Sequence, residues 1–235
     1  VAIISYPVHA SGFMVHQTDI EKRSAATGAL EFVKDNSTIG LGTGTTTHYF
    51  ILGLAELVKQ GIKVRCMASS VDTARKALSL GISVIDSYAD KLDAYFDGAD
   101  EVEPGGSLIK GGGGALTREK ILAYNSREFN VMVDSTKVKE KLGNFGVPIE
   151  VLNFGISFTK TNIERLGGKC TVRSDFVSDN GNPLIDCYFG DIDNPALLES
   201  TIKKIPGVVE VGLFNGMTRR IFQGKGNGYI LKEIK

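Results

Sequence analysis

The sequence contains no tryptophan, only three histidines, three cysteines and six prolines among 235 residues. Two of the histidines, His9 and His16, precede the first recognisable element, which leaves His48 alone in the body of the chain. A His-based metal cluster or a Ser-His-Asp triad has no material to build on. Cys66, Cys170 and Cys187 are odd in number and widely spaced, with no CxxC, so neither a zinc site nor a disulfide framework is expected. Buried reduced thiols in a cytoplasmic protein are the expectation. Net charge is absent too: Lys+Arg 27 balances Asp+Glu 27, without the basic excess of a nucleic-acid binder. No apolar run is long enough for a membrane span, and no basic residue precedes the partly apolar start, which argues against a secretory signal. What remains is ordinary globular material, 42% hydrophobic and 23% charged, with 28 glycines to make tight turns. The length allows one or two domains.

Residues 1–17 read as an extension outside the fold, with Met14 just inside it. Thr18 and Glu21 have the spacing of a capping box at a helix start. Strands are expected at 38–41, 63–68, 82–85, 94–97 and 129–133, alternating with helices from the Gly/Thr loop to 60, at 70–80 and at 116–124. Such alternation implies a parallel sheet covered on both faces. After Pro148 the rhythm changes to strand 149–153, helix 157–166, strand 169–173, a hairpin signal at Asp179, Asn180, Gly181 and Asn182, strand 183–188, a helix from Pro195 to Lys204 capped by Asn194, and strand 208–213. That order, β-α-β-β-α-β, is ferredoxin-like. The expected architecture is therefore α/β: a Rossmann-like parallel-sheet domain at 18–144 plus 217–235, with a smaller ferredoxin-like α+β domain inserted at 145–216.

Four segments fall at strand ends and carry chemistry. The loop Gly42, Thr43, Gly44, Thr45, Thr46, Thr47 leads from a strand into a helix and offers free N–H groups and hydroxyls to an anion. It lacks the Lys of a Walker loop. It also lacks the third glycine and the later acidic residue of a dinucleotide fingerprint, so a single phosphate suits it better. Asp97, Gly98, Ala99, Asp100 and Glu101 follow an apolar strand, at the carboxyl end of the sheet where ligands bind in open α/β folds; alone, they also fit a solvated acidic turn or a magnesium site. Lys110 leads four glycines, Gly111 to Gly114, whose ordering costs entropy and suits close approach to a ligand. Glu119 falls in the first turn of the next helix, where it fits a dipole partner or a carboxylate base. Asp134, Ser135, Thr136 and Lys137 close the set, with Lys137 available to a phosphate. Converging in a parallel sheet, these groups suit a phosphorylated polyol.

In order and spacing, GTGTT, DGADE, KGGGGALTREK and VDSTK, with NGNPLID and IPGVVEVGLF further on, resemble the type A ribose-5-phosphate isomerases from about residue 18 onward. Gly114 stands where many members carry Ala, and the pair Thr45, Thr46 replaces a common Ser-Thr. The resemblance implies a cofactor-free, metal-free interconversion of D-ribose 5-phosphate and D-ribulose 5-phosphate in the non-oxidative pentose phosphate pathway. It implies a small-molecule phosphosugar as partner, no nucleic acid or membrane, a cytoplasmic location and a homodimer or homotetramer. Carried over by motif, Glu119 is the general base and Asp97, Asp100 and Lys110 line the reacting end. Thr43, Gly44, Thr45, Thr46 and Lys137 hold the phosphate, helped by Lys22, while Gly98, Ala99, Gly111, Gly112 and Gly113 complete the substrate site. A base that moves a proton between C1 and C2 works best with a pKa raised by desolvation, so Glu119 is expected in a closed, partly apolar pocket. Three other readings compete: a sugar-phosphate sensor without turnover, a metal-dependent phosphosugar enzyme using DGADE, and, further off, a dinucleotide-linked dehydrogenase.

Overall fold

The computed structural model describes residues 16–87 and 90–234; the expected extension, apart from His16 and Gln17, lies outside them. The chain runs α1 (Gln17–Leu30), β1 (Ser37–Leu41), α2 (Thr45–Lys59), β2 (Val64–Ala68), α3 (Val71–Ser79), β3 (Ser83–Val84) and β4 (Ala94–Asp97). It continues with β5 (Glu101–Val102), β6 (Leu108–Ile109), α4 (Leu116–Tyr124), β7 (Phe129–Val133) and a single 3-10 turn at Ser135–Lys137. Then come β8 (Val147–Val151), α5 (Ile156–Glu164), β9 (Lys169–Val172), β10 (Leu184–Tyr188), α6 (Pro195–Lys203), β11 (Val208–Val211), β12 (Leu213–Phe214), β13 (Thr218–Lys225) and β14 (Gly228–Glu233).

A seven-stranded sheet carries the order β14-β13-β7-β4-β1-β2-β3. All its pairings are parallel except β13 with β14. From β1 the chain moves outward to β2 and β3, then returns to the other flank of β1 as β4, so strand order reverses between β1 and β4. The carboxyl ends on either side of such a switch splay apart and leave a crevice. β1, β4 and β7 are buried along their whole length, as strands covered on both faces must be. One face packs Phe50, Ile51, Leu54 and Ala55 of α2 and Ala25, Ala26 and Ala29 of α1 against Ile39, Leu41 and Phe96. The other packs Leu122 and Ala123 of α4 with Tyr95, Phe129 and Phe214. Phe50 stacks on Phe96 at 4.5 Å and Tyr95 on Phe129 at 4.9 Å between centroids, one aromatic pair on each face.

A four-stranded antiparallel sheet, order β11-β8-β10-β9, has α5 and α6 packed on its core. This is the expected ferredoxin-like arrangement, and Asn194 caps α6 through Leu197 N–H with Pro195 at its start. A small sheet of order β12-β6-β5 was not legible in the sequence. It splits the expected strand 208–213, because Gly212 N–H turns to Pro148 O while Leu213 pairs with Ile109.

Two expectations are corrected. The helix starts at Gln17, inside the expected extension, and Thr18 caps nothing; His16 stands at the N-cap without a side-chain bond. Glu21 has better partners than its own helix, accepting from Ser135 N–H (2.9 Å), Ser135 Oγ (2.6 Å) and Gly226 N–H (3.3 Å). Burial alone would raise its carboxyl, but the Ser135 bonds outweigh that and bring it down to about 2. Cys170 and Cys187 are not free thiols: they form a disulfide. They sit directly opposite each other in the β9–β10 register, a proximity that linear spacing hides. Cys66 is the free, buried cysteine, and burial pushes its thiol up to about 12.

Candidate active site

The crevice between the ends of β1 and β4 opens into a pocket of about 170 Å³. Thr43, Gly44, Thr45, Thr46, Gly98, Ala99, Asp100, Lys110, Gly111, Gly112, Gly113, Glu119, Lys137 and Lys22 line it. All the expected site residues converge here except one. Asp97 is fully buried behind the wall. Its Oδ1 accepts from Thr43 N–H (3.1 Å), Thr47 Oγ1 (3.1 Å) and Gly98 N–H (2.7 Å); its Oδ2 accepts from Tyr95 OH (2.5 Å) and Lys110 Nζ (2.7 Å). Five donors occupy both oxygens, so Asp97 ties the wall together and does not itself reach the pocket surface. The same saturation leaves no lone pair for a cation, so the DGADE metal site does not fit this carboxylate.

Asp97 is placed by β1 and β4 pairing, with Leu41 opposite Phe96 and Gly42 N–H on Phe96 O at 2.9 Å. A Cβ at Gly42 would fall 1.9 Å from Asp97 Cγ, so this approach admits only glycine. Lys110 follows β6, its backbone N–H held by Gly212 O at 2.8 Å, and its side chain runs under the pocket floor. Its Nζ donates to Asp97 Oδ2 and to Gly98 O, each at 2.7 Å. Burial would lower this ammonium, but Asp97 and Glu119 more than compensate and keep it charged.

Glu119, in the first turn of α4, is 3% exposed. Lys110 Nζ lies 3.2 Å from its Oε2, yet off the angle of a hydrogen bond, and Oε2 has no hydrogen-bond partner among the described residues. Burial is the main influence on this carboxyl; the Lys110 charge opposes it and Asp97 and Asp100 reinforce it, leaving a pKa pushed up to about 8. An under-bonded, buried carboxylate beside a fixed ammonium is arranged to take a proton from something in the pocket.

The opposite end is cationic. The first amides of α2, from Gly44 N-cap to Thr46, have no acceptor within the helix, and the hydroxyls of Thr45 and Thr46 make no hydrogen bond among the described residues. Thr43 contributes wall only: its N–H serves Asp97 and its hydroxyl joins Ser69 (2.8 Å) and Ser70 (3.0 Å). Lys137, on the turn that Glu21 ties to α1, makes no ion pair among the described residues, and Lys22 is 3.6 Å from Asp19.

Sequence reading missed Tyr95, Ser69, Ser70 and Arg173. Tyr95 had a signal, since residues two apart in a strand share a face and Tyr95 sits two before Asp97. Ser69 and Ser70 follow β2, whose end flanks the same crevice. Arg173 comes from a distant sheet and had no local signal. Gly114, where relatives of the resembled family often carry Ala, sits at φ +82°, and a Cβ there would fall 2.1 Å from the Phe176 ring.

Fold and pocket together define an α/β isomerase of phosphorylated sugars: an anion-binding helix end at one side, a raised carboxyl beside a buried ammonium at the other. The comparisons with known proteins agree. The profile of ribose 5-phosphate isomerase A (phosphoriboisomerase A) matches residues 65–228. The chain is 51% identical over 217 residues to ribose-5-phosphate isomerase A of Picrophilus torridus, covering 92% of this chain and 98% of that one. It is 45% identical over 218 residues to that of Thermoplasma acidophilum, covering 88% and 89%. A solved D-ribose-5-phosphate isomerase in complex with phospho-erythronic acid superposes with TM-score 0.90 at 36% identity, covering 93% of this chain and 100% of that one. The Methanocaldococcus jannaschii enzyme gives 0.86 at 37%, covering 92% and 98%. The chain belongs to the ribose 5-phosphate isomerase A family.

Proposed function

We propose that this chain interconverts D-ribose 5-phosphate and D-ribulose 5-phosphate by proton transfer through an enediolate. The observation that carries the reading is the buried Glu119–Lys110 pair at 3.2 Å, facing the same pocket as the free amides of α2 and Lys137. The phosphate sits on Thr45, Thr46, Gly44 and Lys137, with Lys22 beside it, and fixes the sugar far from its reacting carbons. Ionised Glu119 removes the C2 proton of the open-chain aldose. The C–H electron pair forms the C1=C2 bond and the carbonyl pair moves onto O1. Lys110 and the N–H groups of the glycine loop stabilise that oxyanion. The same carboxyl returns its proton to C1 while the O2 proton passes to O1, giving the ketose with its C1 hydroxyl. Asp97, with five donors on its oxygens, is poorly placed to carry that proton between O2 and O1. Asp100 takes that role: it lines the pocket, and its one bond is from Gly112 N–H to Oδ2 at 2.7 Å. Asp97 instead positions Lys110. The pairing of a raised carboxyl with a cationic far end disfavours a sensor that only binds.

The topology supports a division into a catalytic unit at 18–144 plus 217–235 and an inserted ferredoxin-like unit at 145–216. Among the described residues no helix is long and apolar enough to cross a membrane. A charged sugar phosphate stays in the compartment where it is made, which supports a cytoplasmic enzyme; activity recovered only outside the cytoplasm on fractionation would refute it. The exposed side chains of Leu152, Phe154 and Phe158 support a homodimer or homotetramer, and a monomeric mass by light scattering at working concentration would reject it. The function itself is tested by proton NMR of D-ribose 5-phosphate in heavy water with chelator present. Ribulose 5-phosphate carrying solvent deuterium is the expected product; no product from folded protein refutes the isomerase.

A further inference from the structure

The smaller antiparallel sheet reaches the glycine loop of the pocket through Arg173. Arg173, the residue after β9, donates Nε to Asp186 Oδ2 (2.6 Å) and Nη2 to Asp186 Oδ1 (2.7 Å), a two-pronged ion pair. The same guanidinium donates Nη1 to Gly112 O and Nη2 to Gly111 O, each at 3.1 Å. It therefore grips two consecutive carbonyls of the glycine loop while its own plane is fixed by Asp186. Phe176, 5.6 Å from the guanidinium carbon, lies against Gly114 on the same side.

Peptide planarity carries the consequence into the pocket. In a trans peptide the C=O of one residue and the N–H of the next point opposite ways, and no cis bond occurs among the described residues. With Gly111 O on Arg173, Gly112 N–H must point away from it, and it does, reaching Asp100 Oδ2 at 2.7 Å. With Gly112 O on Arg173, Gly113 N–H must likewise point away. Gly113 lines the pocket, and its N–H has no partner among the described residues. Gly114 N–H folds back to Gly111 O at 2.9 Å and closes the turn. A four-glycine loop has more conformations to lose than any other sequence, so donors on it stabilise developing charge only if something outside the loop fixes them.

We propose that Arg173 is a positioning residue for the isomerisation: by holding the Gly111 and Gly112 carbonyls it aims Gly113 N–H at the forming oxyanion and keeps Asp100 in place. The inference rests on the isomerase reading above. It gives the smaller sheet a part in the chemistry, with Asp186 fixing the guanidinium from behind. Lysine retains the charge but not the planar fork: its donors leave from one nitrogen and cannot reproduce the four bonds that the guanidinium makes to two carbonyls and both Asp186 oxygens.

The test compares wild type, R173K, R173M and D186N. Steady-state isomerisation is measured alongside binding of phospho-erythronic acid, whose carboxylate resembles the enediolate in shape and charge, and of inorganic phosphate. Wild-type activity, abolished in E119Q, is established first; a wild type without activity removes the isomerase reading itself and this proposal with it. Given that activity, R173K is expected to lose on the order of 10- to 100-fold in kcat, with phospho-erythronic acid weakened in parallel. KM and inorganic phosphate affinity should stay within about threefold, since the α2 end is untouched. D186N, which leaves Arg173 in place but loosens its fork, should fall between wild type and R173K and keeps the test open if R173M does not fold. Folded R173K or D186N with wild-type kcat would overturn the proposal. So would equal weakening of phosphate and phospho-erythronic acid, which marks a general loosening of the pocket.

Discussion

Replacing Glu119 by Gln removes one ionisable oxygen from a site where ionisation is costly. The shift from 4.5 to about 8 corresponds to roughly 5 kcal/mol against the charged form in the folded protein, at 1.36 kcal/mol per unit. The sign follows from linkage. The folded pKa lies above the unfolded one, so this group's contribution to stability is fully present below pH 4.5 and is lost as pH rises through about 8. Glu119→Gln has no such loss. The melting temperature of the variant, measured against wild type at pH 5, 7 and 9, should therefore gain on wild type as pH rises and level off above 8. Lys110 stays paired with Asp97 in the variant, so the comparison does not orphan a second charge. Turnover should move the other way: loss of a general base costs on the order of 10²- to 10⁴-fold, with inorganic phosphate still bound. In the wild type, kcat/KM should climb with pH up to about 8 and flatten beyond it, as the free enzyme's base ionises. A melting-temperature difference that is flat or falls with pH would refute the buried-carboxyl argument. Turnover within threefold of wild type would refute the base assignment.

Lys137→Ala should raise KM roughly 10-fold or more, the worth of a charge-assisted phosphate bond, and leave kcat little changed; a large kcat loss at constant KM would place Lys137 at the reacting end instead. Gly42→Ala should abolish activity and lower the melting temperature, because the added methyl would overlap Asp97 at 1.9 Å; an active, stable variant would show that Asp97 does not organise the wall. The double change Cys170→Ser and Cys187→Ser should cost about 3 kcal/mol of stability for a loop of this length, read from denaturant midpoints of the oxidised protein; equal midpoints would mean the bridge constrains nothing.

The parallel sheet was legible because its strands are continuous apolar runs bounded by glycines and caps; β4, α4 and β7 fall where the pattern put them. The site was legible because an open sheet gathers its ligand groups at strand ends, so short motifs far apart in sequence could be placed together. The residues that escaped do so for physical reasons. Glu21 kept the spacing of a capping box, but a tertiary partner, Ser135, offered two donors at once. Asp97 carried a reactive residue type, and only the three-dimensional count of donors shows it to be occupied. Cys170 and Cys187 meet across a ladder whose register no local signal fixes. Arg173 reaches the glycine loop over 61 and 62 positions of sequence.

The position of β13 and β14 has a consequence for synthesis. α1, which carries Lys22 to the pocket, packs on both strands: Glu21 O lies against Gly224, and Gly28 lies under the Tyr229 ring. The Glu21 carboxylate takes Gly226 N–H as well as Ser135. α1 can pack on α2 and β1 once these are made, but the rest of its seat waits for β13 and β14. A growing chain arrested before residue 218 would hold Glu119, Lys110, the α2 amides and Lys137, and still lack the two strands that complete the packing of the helix carrying Lys22. Completion of the α1 packing is thus late and long-range, the slow kind of contact. Stalled nascent chains should stay sensitive to protease at α1 until β13 and β14 emerge, and protection of α1 in the shorter chains would contradict this order.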